Sequence, residues 1–238
     1  MKMIPTYLDH NVKSRAERRL FKVLDQVNEG EGYFCLHSLN LPEHEYKVMG
    51  ELDFVVVCPR GIFVLEVKGG GISCNDGIWY FEDRWGARHR SSEGPFHQAR
   101  SGMFSLRQRM LDRLPDYELN KFVMGFGVVF PDCEFDMEGL EWDQSLILDA
   151  SQIISGGLSG YFDRLEKYWH DKFPVRRREV PDSDIERVLQ VLRPKFDLAK
   201  SLHVRAEEIE ANHISLTDEQ YSRLDIIKEN ERILIEGG

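Results

Sequence analysis

Apolar residues along this chain recur at two spacings, and the switches between them mark out the elements. In SRAERRLFKVLDQVNEG (14–30) they fall three or four residues apart: Leu20, Phe21, Leu24 and Val27 make one stripe. Ser14 and Glu17 have the spacing of a capping box and Gly30 is a stop, so this segment predicts a helix. A short extended arm precedes that helix, Tyr33 to Leu39 predicts a strand, and ELDFVVVCPRGIFVLEVKGGG (51–71) reads as two strands parted by Pro59-Arg60-Gly61. GIWYFED (77–83), FVMGFGVVFP (122–131) and QSLILDA (144–150) are further strand candidates. Pro95 takes the first-turn place of a helix that runs to about Leu114. From Gly160 to about Ser201 the pattern is helical, interrupted by Pro174, Pro181 and Pro194.

Helix, strands, helix, strands and then helices is the order of a mixed α/β domain. The expected extents are 1–170 for that domain, 171–214 for a helical connector and 215–238 for the start of something else. No internal repeat or low-complexity tract interrupts this order.

Composition narrows the class. With 238 residues, 42% apolar and 30% charged, the chain reads as an ordinary globular protein. No run approaches the roughly 18 apolar residues of a membrane span. MKMIPTYLDH has no apolar core of signal-peptide length. Cys35, Cys58, Cys74 and Cys133 lie far apart with no CxxC pair, which indicates neither a zinc knuckle nor a disulfide framework. A reduced, cytoplasmic protein is expected. Net charge is −10, but it is unevenly spread: residues 1–110 hold 15 Lys/Arg and 14 Asp/Glu, residues 111–238 hold 16 and 27. A polyanion site is therefore expected in the first half.

The hairpin DFVVVC-PR-GIFVLEVK carries the candidate chemistry. With Pro59 and Arg60 at the centre of the turn, Cys58 faces Gly61, Val55 faces Val64 and Asp53 faces Glu66. Opposed residues of an antiparallel pair share a face, with Cβ atoms roughly 4.5–5.5 Å apart. Lys68 points to the same face two residues on. Both faces of the hairpin are apolar, as in buried central strands. Two carboxylates side by side at its end repel unless a cation joins them. Oxygen ligands clustered in this way suit Mg²⁺, which commonly takes one or two carboxylates and keeps several waters. A one-residue slip of register would separate the pair.

Asp53…Glu66-Val67-Lys68 resembles the PD-(D/E)XK nuclease signature. GELDFVVVCPRGIFVLEVKGG, with Gln98-Ala99 on a later helix, resembles the nuclease-related domain (NERD) branch over roughly residues 12–135. The resemblance implies a restriction-endonuclease-like mixed central sheet flanked by helices, and hydrolysis of phosphodiester bonds in DNA. It implies that Asp53 and Glu66 hold Mg²⁺ or Mn²⁺ with the Val67 carbonyl as a third ligand. Lys68 would orient or deprotonate the attacking water and stabilise charge on the scissile phosphate. Glu17 matches the additional acidic residue of this group, and Gln98 the helix glutamine that approaches metal and water. The implied mechanism is metal-assisted hydrolysis, in which the cation polarises a phosphoryl oxygen and lowers the pKa of bound water. The lysine charge would favour the transition state. Leu52 stands where the family has proline before the aspartate.

Each residue has a plainer reading. Asp53, Glu66 and Lys68 also describe a salt-bridged cluster at a sheet end. Glu17 also describes half of a capping box, although 17, 20, 21 and 24 share one helix face and so turn it toward the core. Gln98 also describes a solvated first-turn residue. Arg84, Arg88, Arg90, Arg100, Arg107 and Arg109 lie near Trp79, Tyr80, Phe81 and Trp85. Such residues suit phosphate contacts and base stacking. A solvated loop and helix face would hold the same residues. His89 and His97 are left without a role.

ISLTDEQYSRLDIIKENERILIEGG reads as a helix (217–229) followed by a buried strand, Ile233-Leu234-Ile235, running into glycines. It resembles the opening of a superfamily 1 DNA helicase, with a Q motif and the strand before Walker A. By that resemblance Gln220 reads the adenine edge and Tyr221 flanks it. The Gly-Lys-Ser/Thr that would bind γ-phosphate and Mg²⁺ is absent before Gly238. The expectation is therefore a piece of a longer nuclease–helicase protein, with no ATP hydrolysis by this piece, in DNA processing or anti-phage defence. The competing expectation is a catalytically silent, nuclease-like module that binds DNA and positions the helicase. RNA as substrate is a third option. Double-strand cutting would call for two sites and hence a homodimer.

Overall fold

The computed structural model describes residues 1–9, 12, 14–27, 30–44, 47–83, 85–173, 179–197, 209–210 and 221–222. Two compact units divide the chain, Met1–Pro194 and Lys195–Gly238. Every element below belongs to the first. Apart from Tyr221 and Ser222, the expected helix at 217–229 and strand at 233–235 lie outside the described residues.

Strand β1 (Lys2–Ile4) precedes helix α1 (Arg15–Gln26), and strands β2 (Phe34–His44), β3 (Lys47–Cys58) and β4 (Gly61–Val67) follow it. Three short strands come next: β5 (Gly71–Asn75), β6 (Ile78–Glu82) and β7 (Arg88–Ser91). Helices α2 (Pro95–Leu111) and α3 (Asp116–Leu119) lead to β8 (Met124–Phe130) and β9 (Ile147–Asp149). Helices α4 (Ala150–Ile154), α5 (Leu158–Lys172) and α6 (Asp182–Leu192) complete the unit. The strands form a six-stranded mixed sheet in the order β1-β2-β3-β4-β8-β9, and a separate antiparallel sheet β5-β6-β7. Parallel pairs are β1–β2, β4–β8 and β8–β9; β2–β3 and β3–β4 are antiparallel.

β4 and β8 read as near-continuous apolar runs because both faces of the sheet are covered. Phe21 of α1 packs edge-on against His37, which meets its paired residue Phe54 with ring centroids 4.8 Å apart. Phe54 pairs with Leu65, and Leu65 with Gly127, so they share a face. Helix α5 seats on that same face at two glycines. A Cβ on Gly125 would lie 2.4 Å from the Trp169 ring, and one on Gly127 1.9 Å from the Tyr161 hydroxyl. Helix α2 covers the other face, where its Gly102 approaches Val64. The result is a mixed α/β domain with a central mixed sheet flanked by helices, consistent with a PD-(D/E)XK-like nuclease domain.

Several elements run differently from their predicted extents. β2 continues to His44 and β3 starts at Lys47, so most of the polar stretch 40–50 extends the hairpin. β5 and β7 carry too few buried residues to announce themselves, and β7 occupies part of the basic segment read as loop or solvated face. α1 stops at Val27, whose N–H returns to the Leu24 carbonyl, three residues before Gly30. Val180, Ile185 and Val188 are buried, and the Val180 N–H bonds the Pro59 carbonyl at 2.7 Å, so α6 belongs to the compact unit that ends at Pro194.

Candidate active site

Pro59 and Arg60 turn the β3–β4 hairpin as the spacing required. The register pairs Cys58 with Gly61, Val57 with Ile62, Val55 with Val64 and Phe54 with Leu65. Beyond Leu65 the two strands part. β4 stays beside β8 through the pairs Glu66–Val128 and Val67–Val129, and the Lys68 N–H bonds the Val129 carbonyl at 3.0 Å. The Val67 N–H, left without a backbone acceptor on β3, donates instead to Asp53 Oδ2 at 2.8 Å. Thus the Asp53 carboxylate occupies the fork where the hairpin opens. Lys68 Nζ lies 2.7 Å from Glu66 Oε1 and 5.7 Å from the centroid of Phe81 on β6.

The fork is short of positive charge. Burial pushes the Asp53 carboxyl well above the usual carboxylate range, and the neighbouring charge of Glu66 pushes it further. The Val67 N–H pulls it back, Glu17 adds to the rise, and Lys68 counters weakly. The chain behind the lysine is held close to α1. Gly70 donates its N–H to Asp132 Oδ2 at 3.0 Å, and Arg19 reaches the other oxygen of Asp132 at 3.4 Å. A Cβ on Gly69 would sit 2.6 Å from that of Ala16, so only glycine lets the loop pass this helix.

The donors fit a hard divalent cation. Two adjacent carboxylates, one of them unable to ionise comfortably, and a backbone carbonyl at Val67 are the kind of oxygen set that Mg²⁺ or Mn²⁺ takes while keeping waters. Among the described residues no three His, Cys, Asp or Glu side chains group as metal ligands. A cation held here would therefore depend on the Val67 carbonyl and on water for its remaining ligands. Cys35 and Cys58 are buried, and burial pushes both thiols far up, that of Cys58 to about 12.

The structure brings Glu17 toward this group and leaves others apart from it. Ser14 Oγ accepts the Glu17 N–H at 3.2 Å, which is one half of the capping box. The Glu17 carboxylate does not return to the cap; its Oε2 lies 3.1 Å from His37 Nε2. Gln98 stands in the second turn of α2, half-buried, and among the described residues no hydrogen bond joins its side chain to the acids. Arg84 lies outside the described residues. Arg88 and Arg90 are exposed on β7, with Arg88 Nε on Glu82 Oε2, and Arg100 is exposed over the Phe104 ring. Of the nearby aromatics Trp79 is buried and Trp85 is 76% exposed. Gln220 lies outside the described residues, and Tyr221 is exposed.

A cleft of about 670 Å³ lies beside the first turn of α2, walled by Trp79, Phe96, Trp142 and Tyr168, with Arg100, Glu141 and Asp143 among its polar groups. Its two carboxylates offset the guanidinium, so it lacks the positive surplus that a phosphate would need. Sequence reasoning passed over His37, Asp132 and Arg193, whose partners lie 20, 62 and more than 150 residues away. Only the short stretch of polar positions around His37 inside an apolar strand could have pointed to one of them.

Residues 13–128 match the family described as NERD: Nuclease-related domain. The matched stretch contains Glu17, Asp53, Glu66, Lys68 and Gln98, and ends within β8. Comparison with curated proteins and with solved structures finds no significant match.

Proposed function

We propose that the nuclease-related domain at residues 13–128 is a Mg²⁺- or Mn²⁺-dependent deoxyribonuclease that hydrolyses phosphodiester bonds. The carrying observation is the hairpin fork, where Asp53 and Glu66 share one site with Lys68 beside them. Asp53, Glu66 and the Val67 carbonyl would hold the cation, which when bound supplies Lewis-acid polarisation and a more acidic water. Lys68, kept in place by Glu66, presents a fixed positive charge to the scissile phosphate as negative charge grows on it. Glu17 adds a further carboxylate at the rim, and Gln98 an amide able to orient water. Arg88, Arg90 and Arg100, which are exposed, would supply charge for the DNA backbone together with Arg84.

The wider setting rests on the resemblance of residues 215–238 to a helicase opening. In that reading the nuclease works N-terminal to a helicase motor in the cytoplasm, in DNA processing or defence against foreign DNA. ATP binds only in the full-length protein, through Gln220 and Tyr221, and a homodimer would serve double-strand cutting. Among the described residues no helix is long and apolar enough to cross a membrane.

Plasmid nicking with Mg²⁺ or Mn²⁺ tests the assignment. Lys68→Ala should lower cleavage by about 100-fold or more, the scale of losing one preorganised charge at a transition state. Equal cleavage by both proteins would remove the assigned site. No cleavage with any divalent metal would favour the silent DNA-binding module.

A further inference from the structure

A buried imidazole sits directly behind Glu17. His37 is 3% exposed, and with Asp149 it makes up the buried polar side chains among the described residues. Burying such a group without a hydrogen bond is costly, and His37 Nε2 spends its bond on Glu17 Oε2 at 3.1 Å, with Ser38 Oγ at 3.4 Å. The ring has little freedom to move. Phe21 meets it edge-on at 5.8 Å from α1, and Phe54 lies 4.8 Å away across the sheet. Its backbone is gripped as well. Arg193, just after α6, donates to the carbonyls of His37 at 3.0 Å and Ser38 at 2.9 Å, and through its other terminal nitrogen to Ile4 at 2.9 Å. That grip falls where the ladder passes from the His37–Phe54 pair to Leu39–Leu52 across Ser38, whose φ of 51° is unusual for a residue with a side chain.

We propose that His37 is a positioning residue that draws Glu17 away from its helix cap and fixes its carboxylate toward the cation site. The proposal rests on the reading of Asp53 and Glu66 as cation ligands. Three features of Glu17 support it. Its backbone N–H is capped by Ser14 while its carboxylate goes to His37, so the side chain is recruited away from the box its spacing suggests. Its side chain is 20% exposed, so one carboxylate edge is held in the core while the group still reaches solvent. Its charge reaches Asp53. A glutamate with three free torsions would lose this alignment; one oxygen tethered to a rigid imidazole ring keeps it, as hydrogen-bond partners around a metal site commonly do.

A mere buried histidine satisfied by the nearest acid would give the same distance, so the test must separate alignment from stability. Mn²⁺ alone is titrated calorimetrically into the full chain, with thermal melting of each variant recorded in parallel. His37→Leu should weaken Mn²⁺ binding by about tenfold, the lower end of what such partners contribute. His37→Gln, whose amide nitrogen can replace Nε2, should restore most of it. In a Glu17→Ala background, His37→Leu should change nothing further, because the effect passes through Glu17. If His37→Leu does not melt cooperatively, His37→Asn, polar but too short to reach Glu17, replaces it. Unchanged Mn²⁺ affinity, or the same loss with and without Glu17, would overturn the proposal. A protein that binds Mn²⁺ in this pattern yet nicks no plasmid would sink the nuclease reading and leave the positioning role standing. A wild type that binds no Mn²⁺ would end both.

Discussion

The Asp53 carboxylate accepts the Val67 N–H at 2.8 Å, and so closes the fork that β3 and β4 leave open after Leu65. One side chain thereby does two opposed things. It satisfies a backbone donor, which stabilises the sheet, and it places a carboxyl group where burial and Glu66 disfavour the ionised form.

Asp53→Asn separates the two. Its amide oxygen can still accept the Val67 N–H, while the charge is gone. The variant should cleave no DNA and should melt above the wild type in EDTA by about 2–4 °C, equivalent to about 1 kcal/mol in a protein of this size. Mn²⁺ should raise the melting temperature of the wild type only. A lower melting temperature for the variant in EDTA would mean that Asp53 strengthens the fold as a charge, against the electrostatics of the fork.

Gly70 is a steric test of the loop behind Lys68. Its φ is 78°, and a Cβ there would lie 2.0 Å from the Glu82 carbonyl oxygen, a backbone atom that cannot swing aside. Gly70→Ala should cost about 2 kcal/mol or more, adding left-handed strain to the clash. Nicking activity should fall with it, because the loop carries Lys68. Urea denaturation measures the first effect and plasmid nicking the second.

Asp149 sets a pH dependence remote from the site. Burial raises its pKa, but hydrogen bonds from the Gln152 N–H at 3.0 Å, Ser151 Oγ at 2.7 Å and the Phe135 N–H at 3.1 Å outweigh this, and the net shift is downward. A depressed carboxylate pKa means that the fold favours the ion. Its contribution is complete above the unfolded value, near 3.9, and fades as pH falls through the folded one. Asp149→Ala should therefore cost about 1–2 kcal/mol at pH 7, the range of a lost helix cap. The gap from wild type in urea unfolding should narrow as the pH is lowered toward 3.

Arg193 offers a test of geometry against charge. Its fork serves three carbonyls on two separate segments, which a lysine ammonium cannot do in the same positions. Arg193→Lys should lose nearly as much stability as Arg193→Ala, about 1.5–3 kcal/mol for hydrogen bonds from a charged donor. Full stability of the lysine variant would show that charge alone suffices.

How legible all this was depended on the distance over which each contact acts. The β3–β4 register could be read because a two-residue turn ties both strands together, and every paired position is apolar. α1 could be read from its stripe, though the helix ends at Gln26 and Val27 caps it. β5 and β7 could not, because an exposed three-stranded sheet has little apolar alternation to show. The reach of α6 into the compact unit was hidden for a different reason: its buried Ile185 and Val188 pack against elements far away in sequence.

Local pattern by itself determined the mixed α/β order and the hairpin with its register from Cys58–Gly61 to Phe54–Leu65, since each follows from periodicity and one tight turn. The expected Asp53–Glu66 pairing is not part of that register, because the strands part after Leu65. Tertiary packing alone decided what surrounds them. Strand divergence after Leu65 turned Asp53 onto a backbone N–H, α1 delivered Glu17 to a buried imidazole, and an arginine from beyond α6 closed over the strand that bears it. Those contacts join residues between 14 and 156 positions apart. Chain spacing carries no record of such approaches; they arise only when the helices settle on the two faces of the sheet.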